Sequence, residues 1–593
     1  MRKIVKNGAL SVNAIAGSYV VLLGINLTKV SGKGVLGFAI ERIDHTENER
    51  YWLKGLKTFQ ETDPDRSAGT PVSTLEHPVQ SFQWGDYTAK PNHDYTYRIV
   101  AMTGKPKNLV QGTTVEVQIQ TENEDIGTHS VYFNRGVAGS QAYASKFKNL
   151  PPDQVPDHKA LDWLSRGLVE AMLAFIAQAK GKRYSLRAAL YEFQYQPVLT
   201  AFKSAHDTDA DVKIVFDARP NSQDYPDKAN RAAIEATGIA DLTIPRTASP
   251  SFISHNKFIV LLDQGKPVQV WTGSTNITEG GIFGHSNLGH IVRDEAIAAS
   301  YFAYWEQLSA DPEAAKLRPW NEKNTPIPKA APKAHSIATV FSPRSSLDAL
   351  QWYADRMAAT DSAVFFTAAF GINKLFQSVL EGNSNFLRYM LLEKTDGSVD
   401  VLKRNPANYI SVGAIEDQPL GHYLQERLTG LNDHVKYIHT KYMLIDPLSD
   451  NPLVISGSAN FSDASTKNND ENMLVIQGDT RVADIYLCEF MRLFNHFYTR
   501  DLMNQKVGNS DSTQPDPTTT PEPTSTNTPQ KPVAKTAAKP IAKTPDLTIT
   551  SSSPATSKAG GGSIYLVPDD SWQDDYFKAD SPKQKERLYF AGK

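Results

Sequence analysis

Between residues 1 and about 122 the hydrophobic positions fall in short β-rich runs separated by turn residues. The runs are Tyr19–Leu23, Val35–Ile43, Val79–Gln83, Tyr95–Met102 and Thr113–Gln120. The last two alternate in the manner of half-buried strands, as in Tyr95-Thr96-Tyr97-Arg98-Ile99 and Val115-Glu116-Val117-Gln118-Ile119. Gly85-Asp86-Tyr87 and Lys90-Pro91-Asn92 supply turn chemistry just upstream. The run from Ala9 to Ile25, preceded by Arg2, Lys3 and Lys6, has the outline of a signal peptide. Ser11, Asn13, Gly17 and Ser18 interrupt it, no small-residue cleavage site follows, and it predicts two strands around a turn instead. About five to seven strands in this length predict a sandwich.

From about residue 125 to 500 the period changes to alternating helices and strands. Leu164, Leu168, Met172, Phe175 and Ile176 predict one helix over Leu161–Ala179, followed by a strand at Leu186–Phe193, a helix at Gln196–Ala205 and a strand at Val212–Asp217. After Ser346 the plan recurs, with a helix at Leu347–Ala359, a strand at Ala363–Ala369, a helix at Ile372–Leu380 and a strand at Leu387–Glu393. The expected body is α/β in two duplicated halves, residues 125–330 and 335–505, preceded by an all-β sandwich over 1–122. Residues 506–562 are rich in Pro, Thr, Ser, Ala and Lys and predict a disordered linker. Apolar character returns in 563–593, with Trp572, Tyr576, Phe577, Leu588 and Phe590. That segment is expected to dock, either on a protein partner or back onto the body.

Composition narrows the classes. Of 593 residues, 40% are hydrophobic, enough for several packed domains, and no stretch approaches a membrane span. The single cysteine, Cys488, excludes a disulfide scaffold and any multi-cysteine metal site. It fits a reducing compartment, and a cytoplasmic location is the expectation. A formal net charge of −3 gives no global field for nucleic acid. The local basic stretch at Lys146, Lys148, Lys180, Lys182 and Arg183 could still meet a phosphate backbone.

The chemistry lies in two matched segments. His255-Asn256-Lys257 opens an apolar run and leads to Gly273-Ser274-Thr275-Asn276; His439-Thr440-Lys441 leads to Gly457-Ser458-Ala459-Asn460. In both, the Gly follows the His by 18 residues and the Asn follows it by 21. In a strand, residues two apart share a face, so each His sits beside its Lys. Two such units face to face gather two imidazoles, two ammonium groups, two hydroxyls and two carboxamides. That set suits a phosphodiester, with cations and amides for the non-bridging oxygens, one nucleophile and one acid. No carboxylate cluster of metal-binding type is apparent, so neither metal nor cofactor is expected, and Lys257 and Lys441 would carry the charge stabilisation.

These residues resemble the phospholipase D superfamily, whose signature is His-x-Lys-x4-Asp followed by Gly-Ser-x-Asn, present twice. The second copy matches through His439, Lys441, Asp446, Gly457, Ser458 and Asn460, with Glu471 eleven residues past the Asn. The first has Leu262 at the Asp position, with Asp263 one place on, and Asn287 at the position of Glu471. The resemblance implies a metal-independent, two-step reaction through a phosphohistidine, with His255 as nucleophile and His439 as acid. It implies a structural role for Asp446, phosphate contacts from Ser274, Ser458, Asn276 and Asn460, and Glu471 orienting the histidine of its own motif, His439, with Asn287 beside His255. The substrate is a phosphodiester: nucleic acid is favoured over phospholipid, because no lipid-inserting cluster is evident, and a catalytically silent scaffold is the alternative from another class. The stretch with Pro91 ahead of Tyr95-Thr96-Tyr97-Arg98 weakly resembles a fibronectin type III domain. Tyr191-Glu192-Phe193 reads equally as a site stretch or a buried strand, His434, His285 and His290 lie near the motifs without an assigned metal, and Cys488 reads as core.

Overall fold

The computed structural model describes the chain except residues 65–69, 137–139, 220–225, 249–251, 331, 384, 414–430, 432–434 and 511–564. The expected linker therefore falls almost wholly outside the described residues, as does His434. No helix among the described residues is long and apolar enough to cross a membrane.

The run from Ala9 to Ile25 forms two strands, Leu10–Ala16 and Val21–Asn26, paired antiparallel across a turn at Gly17–Val20. With Arg2–Asn7 and Gln83–Asp86 they make one four-stranded sheet. Asn108–Gln120, Asp94–Lys105, Gly37–Asp44 and Glu49–Trp52 make a second. Alternation puts Val12, Ala14, Leu23 and Ile25 of one sheet against Phe38, Ile40, Tyr97, Ile99 and Val117 of the other, so the N-terminal region is an all-β, two-sheet module with its own core.

The body is mixed α/β and built twice. The first seven-stranded sheet runs His129–Phe133, Leu288–Val292, Lys266–Gly273, Lys257–Asp263, Tyr184–Leu190, Asp211–Asp217, Thr243–Arg246. The second runs Ser336–Ser342, Glu471–Gln477, Leu453–Gly457, Tyr442–Ile445, Ala363–Ala368, Leu387–Leu392, Asn408–Val412. Each half threads its strands in the same order: first, seventh, sixth, fifth, second, third, fourth. The second, third and fourth strands pair parallel and the others antiparallel. Helices Glu295–Ser309 and Thr480–Ser510 each follow a seventh strand. Their Tyr301, Tyr304, Tyr486 and Phe490 share one core with Phe258 and Val260 of the first sheet and Leu444 and Leu474 of the second.

One expectation changes. The helix expected over Leu161–Ala179 is two, Lys159–Ser165 and Leu168–Ile176. Arg166 and Gly167 break it with φ of +50° and +88°. The Arg166 guanidinium turns inward to Glu489 at 2.6 Å on the long helix. The aromatic C-terminal segment, expected either on a protein partner or back on the body, packs against the body. Trp572 donates to the Val35 carbonyl at 2.9 Å and packs on Phe38 and Phe82 of the β module. Helix Pro582–Phe590 then wedges between that module and the second half: Asn13 donates to the Phe590 carbonyl at 2.9 Å, and Tyr389 donates to Glu586 at 2.8 Å. Gly24 makes this approach possible, since a Cβ there would lie 2.0 Å from the Phe590 carbonyl oxygen.

Candidate active site at the junction of the halves

Each motif histidine stands just ahead of the fifth strand of its half, and each is tied to the opposite half by its backbone. Ser254 bridges Asp470, and His255 N donates to the Asp470 carbonyl at 3.0 Å. Ser286 bridges Ile438, and His439 N donates to the Ser286 carbonyl at 3.2 Å. Asp470 and Ser286 immediately precede Glu471 and Asn287. The backbone thus delivers each orienting residue to the histidine of the other half.

The side chains follow. His255 Nδ1 lies 2.9 and 3.0 Å from the two carboxylate oxygens of Glu471, and His439 Nδ1 lies 3.0 Å from Asn287 Oδ1. This corrects the expected pairing of Glu471 with His439 and of Asn287 with His255: the orienting residues cross the pseudo-twofold axis. The protonation pattern follows. A carboxylate only accepts, so His255 Nδ1 carries hydrogen. Asn287 Nδ2 donates to the Gly281 carbonyl at 2.7 Å, which turns Oδ1 toward the ring and makes His439 Nδ1 a donor as well. Nε2 is then the lone-pair nitrogen of each neutral ring.

The two motif serines stand behind these pairs. Ser458 Oγ donates to Glu471 at 2.7 Å and Ser274 Oγ to Asn287 Oδ1 at 2.8 Å, and both serines are fully buried. Lys257 and Lys441 each curl back to donate to the carbonyl of their own histidine, at 2.6 and 2.5 Å. Asn276 Nδ2 donates to Glu192 at 2.6 Å, while the Oδ1 atoms of Asn276 and Asn460 are buried with no hydrogen bond from a described residue. Asp446 lies outside the cluster. It accepts from the amides of Asp361, Ser362 and Ala363 at 3.0, 2.7 and 3.1 Å, capping the start of the second strand of its half. Asp263, one place past the corresponding Leu262, instead pairs with Arg183 at 2.6 Å on the surface.

Burial dominates the electrostatics. It pushes His255 down to about 4 even though Glu471 pushes it up, and pushes Lys257 down to about 8. His439 lies well below the usual histidine range through burial and then the charges of Lys441, His285, Lys257 and His255. Lys441 falls well below the usual lysine range through burial and then Lys257. The influence of Lys441 on His255 and of Lys257 on His439 places all four groups in one cluster.

Three features escaped the sequence reading. Asp217 accepts from the Ser254 amide at 2.8 Å, and Glu393 accepts from the amides of Lys436, Tyr437 and Ile438 at 2.7, 3.1 and 2.7 Å. Each carboxylate ends the third strand of its half and holds the segment entering the histidine. Their separations from His255 and His439 differ, so a search for equal spacing passes over them; a search for an acid at corresponding strand ends finds both. His285, with no role expected, has its ring centroid 4.8 Å from that of His439. The backbone turn at Gly280–Gly284 puts it there.

The family described as "Cardiolipin synthase, PLD-like domain" matches residues 172–309 and 393–494, which hold both histidine motifs and both orienting residues. No protein of curated function matches. Among solved structures, polyphosphate kinase from Porphyromonas gingivalis aligns with 56% of this chain at 12% identity and a TM-score of 0.36. The aligned part spans 48% of that kinase. Phosphatidylserine synthase from Haemophilus influenzae aligns with 58% of this chain and 90% of its own at 12% identity and a TM-score of 0.39. The phospholipase D family member Nuc from Salmonella typhimurium aligns with 24% of this chain and 87% of its own at 29% identity and a TM-score of 0.20. The two motif-bearing halves are similar to the PLD-like domain of the cardiolipin synthase family.

Proposed function

We propose that the protein is a phosphodiesterase of the phospholipase D type that cleaves nucleic acid through a phosphohistidine, with no metal in the reaction. The observation that carries this reading is the buried set of two histidines and two lysines beside Glu471, because an incoming anion returns the protons that burial disfavours. Lys257 and Lys441, with the carboxamides of Asn276 and Asn460, would meet the non-bridging oxygens, supplying charge that a metal supplies elsewhere. Ser274 and Ser458 position Asn287 and Glu471.

The crossed pairs support distinct roles. Binding of the anionic diester first lets His439 Nε2 take a proton from solvent; His255 Nε2 then attacks phosphorus, the P–O bond to the leaving oxygen breaks, and that oxygen takes this proton from His439 Nε2. Attack makes the His255 ring cationic, and Glu471 stabilises that charge. His439 must release a proton, and the neutral carboxamide of Asn287 holds it less strongly than a carboxylate would. Neutral His439 then accepts a proton from water, whose oxygen attacks phosphorus, and the P–N electron pair returns to His255. We keep the assignment that the resemblance implies, on this physical ground.

The test is incubation of pure protein, in EDTA, with single- and double-stranded DNA, RNA and phosphatidylcholine. Cleavage of nucleic acid supports the reading. Head-group release supports a second reading that the family's description favours, in which an alcohol replaces water in the second step; silence on every substrate supports a scaffold.

A further inference from the structure

The two strand ends beside the histidines differ. The last paired rung between the second and third strands is Leu190 with Phe216 in the first half and Ala368 with Leu392 in the second. Two residues beyond stand Glu192 and Phe370. Glu192 is held by Asn276, whereas Phe370 is 59% exposed. Its ring centroid lies 6.5 Å from that of His439, nearly perpendicular at 85°. The fold leaves most of this apolar ring uncovered. Of the exposed large hydrophobic side chains among the described residues, six belong to the β module, and Phe370 is the one in ring contact with a motif histidine. On the adjacent parallel strand, two residues past Leu392, stands Lys394, also exposed. Both residues lie just past their strands' ends, each two positions beyond the same last rung, where neighbouring strands are about 4.8 Å apart.

We propose that Phe370 is a stacking platform for the nucleobase of the leaving nucleotide, that Lys394 meets the next phosphate, and that the substrate is therefore single-stranded nucleic acid. The inference rests on the phosphodiesterase reading above. An aromatic face beside a cation is how single strands are held without sequence preference, at about 1–3 kcal/mol per stacked base. A duplex keeps its bases stacked on one another. A phospholipid head group offers no planar face, and its acyl chains call for a broad apolar surface, not one phenyl beside a lysine. On the His255 side the corresponding residue is an acid, which disfavours a phosphate backbone there. The leaving strand therefore departs across Phe370.

The experiment compares kcat/KM for a dinucleoside phosphodiester and for its analogue lacking the base on the leaving side. The wild type should prefer the base-bearing diester by about 10–100-fold, the range that stacking supplies. Phe370→Ala should bring that ratio toward one and Phe370→Trp should keep it. Lys394→Ala should reduce the salt dependence on a longer single strand by roughly one phosphate contact. A wild type that treats the two diesters alike, an unchanged ratio in Phe370→Ala, or faster cleavage of duplex than of single strand overturns the inference while leaving the phosphodiesterase intact. Release of choline from phosphatidylcholine vesicles that fails in Phe370→Ala would assign the platform to lipid and also overturn it. A wild type silent on every diester removes the reading beneath it.

Discussion

Glu471 holds His255, a residue 216 positions earlier and in the other half of the body, at 2.9 Å. Asn287 does the same for His439 in the opposite direction. Neither half completes a site by itself. His255→Ala and His439→Ala should each abolish turnover, as steady-state assay on a diester would register, and full activity in either variant would contradict the shared site.

The crossing determines a pH signature. The Glu471 charge raises the His255 pKa, which burial nevertheless holds at about 4. His255 is neutral, and able to attack, above that value. Glu471→Gln removes the raising charge, so the acid limb of the pH–rate profile should move below pH 4. The plateau rate should fall by about 10²–10³, the loss typical of one preorganised group. Asn287→Glu places a carboxylate against His439, which must be protonated to act, and should move the alkaline limb upward. Rate profiles of both variants check the signs. An effect of Glu471→Gln confined to the alkaline limb would return Glu471 to His439.

Asp446 and Asp263 occupy neighbouring positions of the two motif copies and do different work. Asp446 caps three amides, so Asp446→Asn should destabilise the protein by about 1–3 kcal/mol. Asp263 pairs with an exposed Arg183, where solvent screens the attraction, so Asp263→Asn should cost distinctly less. Denaturant midpoints of the two variants give the comparison, and equal losses would contradict it.

Local pattern accounts for what the sequence made legible. The strand and helix alternation over residues 186–217 and 347–393 follows from hydrophobic period, and the equal spacing of His255–Asn276 and His439–Asn460 points to a duplication. What it could not reveal is relative placement. Period and spacing say that Glu471 follows Asn460; they do not say that the bridges Ser254–Asp470 and Ser286–Ile438 carry each orienting residue across to the other half. Asp217 and Glu393 were hidden for the same reason, since strand order, not chain distance, brings them to the histidines. Arg166 and Gly167 broke a helix that apolar spacing alone ran through, because a buried ion pair to Glu489 decides the backbone there.

The C-terminal segment offers a further check. Beyond the linker expected over residues 506–562, Trp572 and Phe590 are packed into the β module and the second half. Deleting residues 565–593 would bare Phe82, Phe365 and Tyr389. At about 25 cal/mol per Å² of apolar surface, the loss should reach a few kcal/mol and several degrees in Tm. Gly24→Val, which cannot accommodate the Phe590 carbonyl, should lower Tm in the same direction without removing the segment. An unchanged melting temperature in both proteins would mean that the segment contributes nothing to the fold.

The central claim is that one chain assembles a phosphohistidine site in which His255, backed by Glu471, is the nucleophile and His439, backed by Asn287, is the acid. Its most direct test is to quench the protein in alkali during turnover of a phosphorus-labelled single-stranded oligonucleotide and locate the covalent phosphate by peptide mass spectrometry. The account predicts phosphate on His255, and also in His439→Asn given a nitrophenyl diester, whose departure needs no acid while the second step lacks its base. Phosphate on His439, or turnover with no phosphohistidine in either protein, would contradict it.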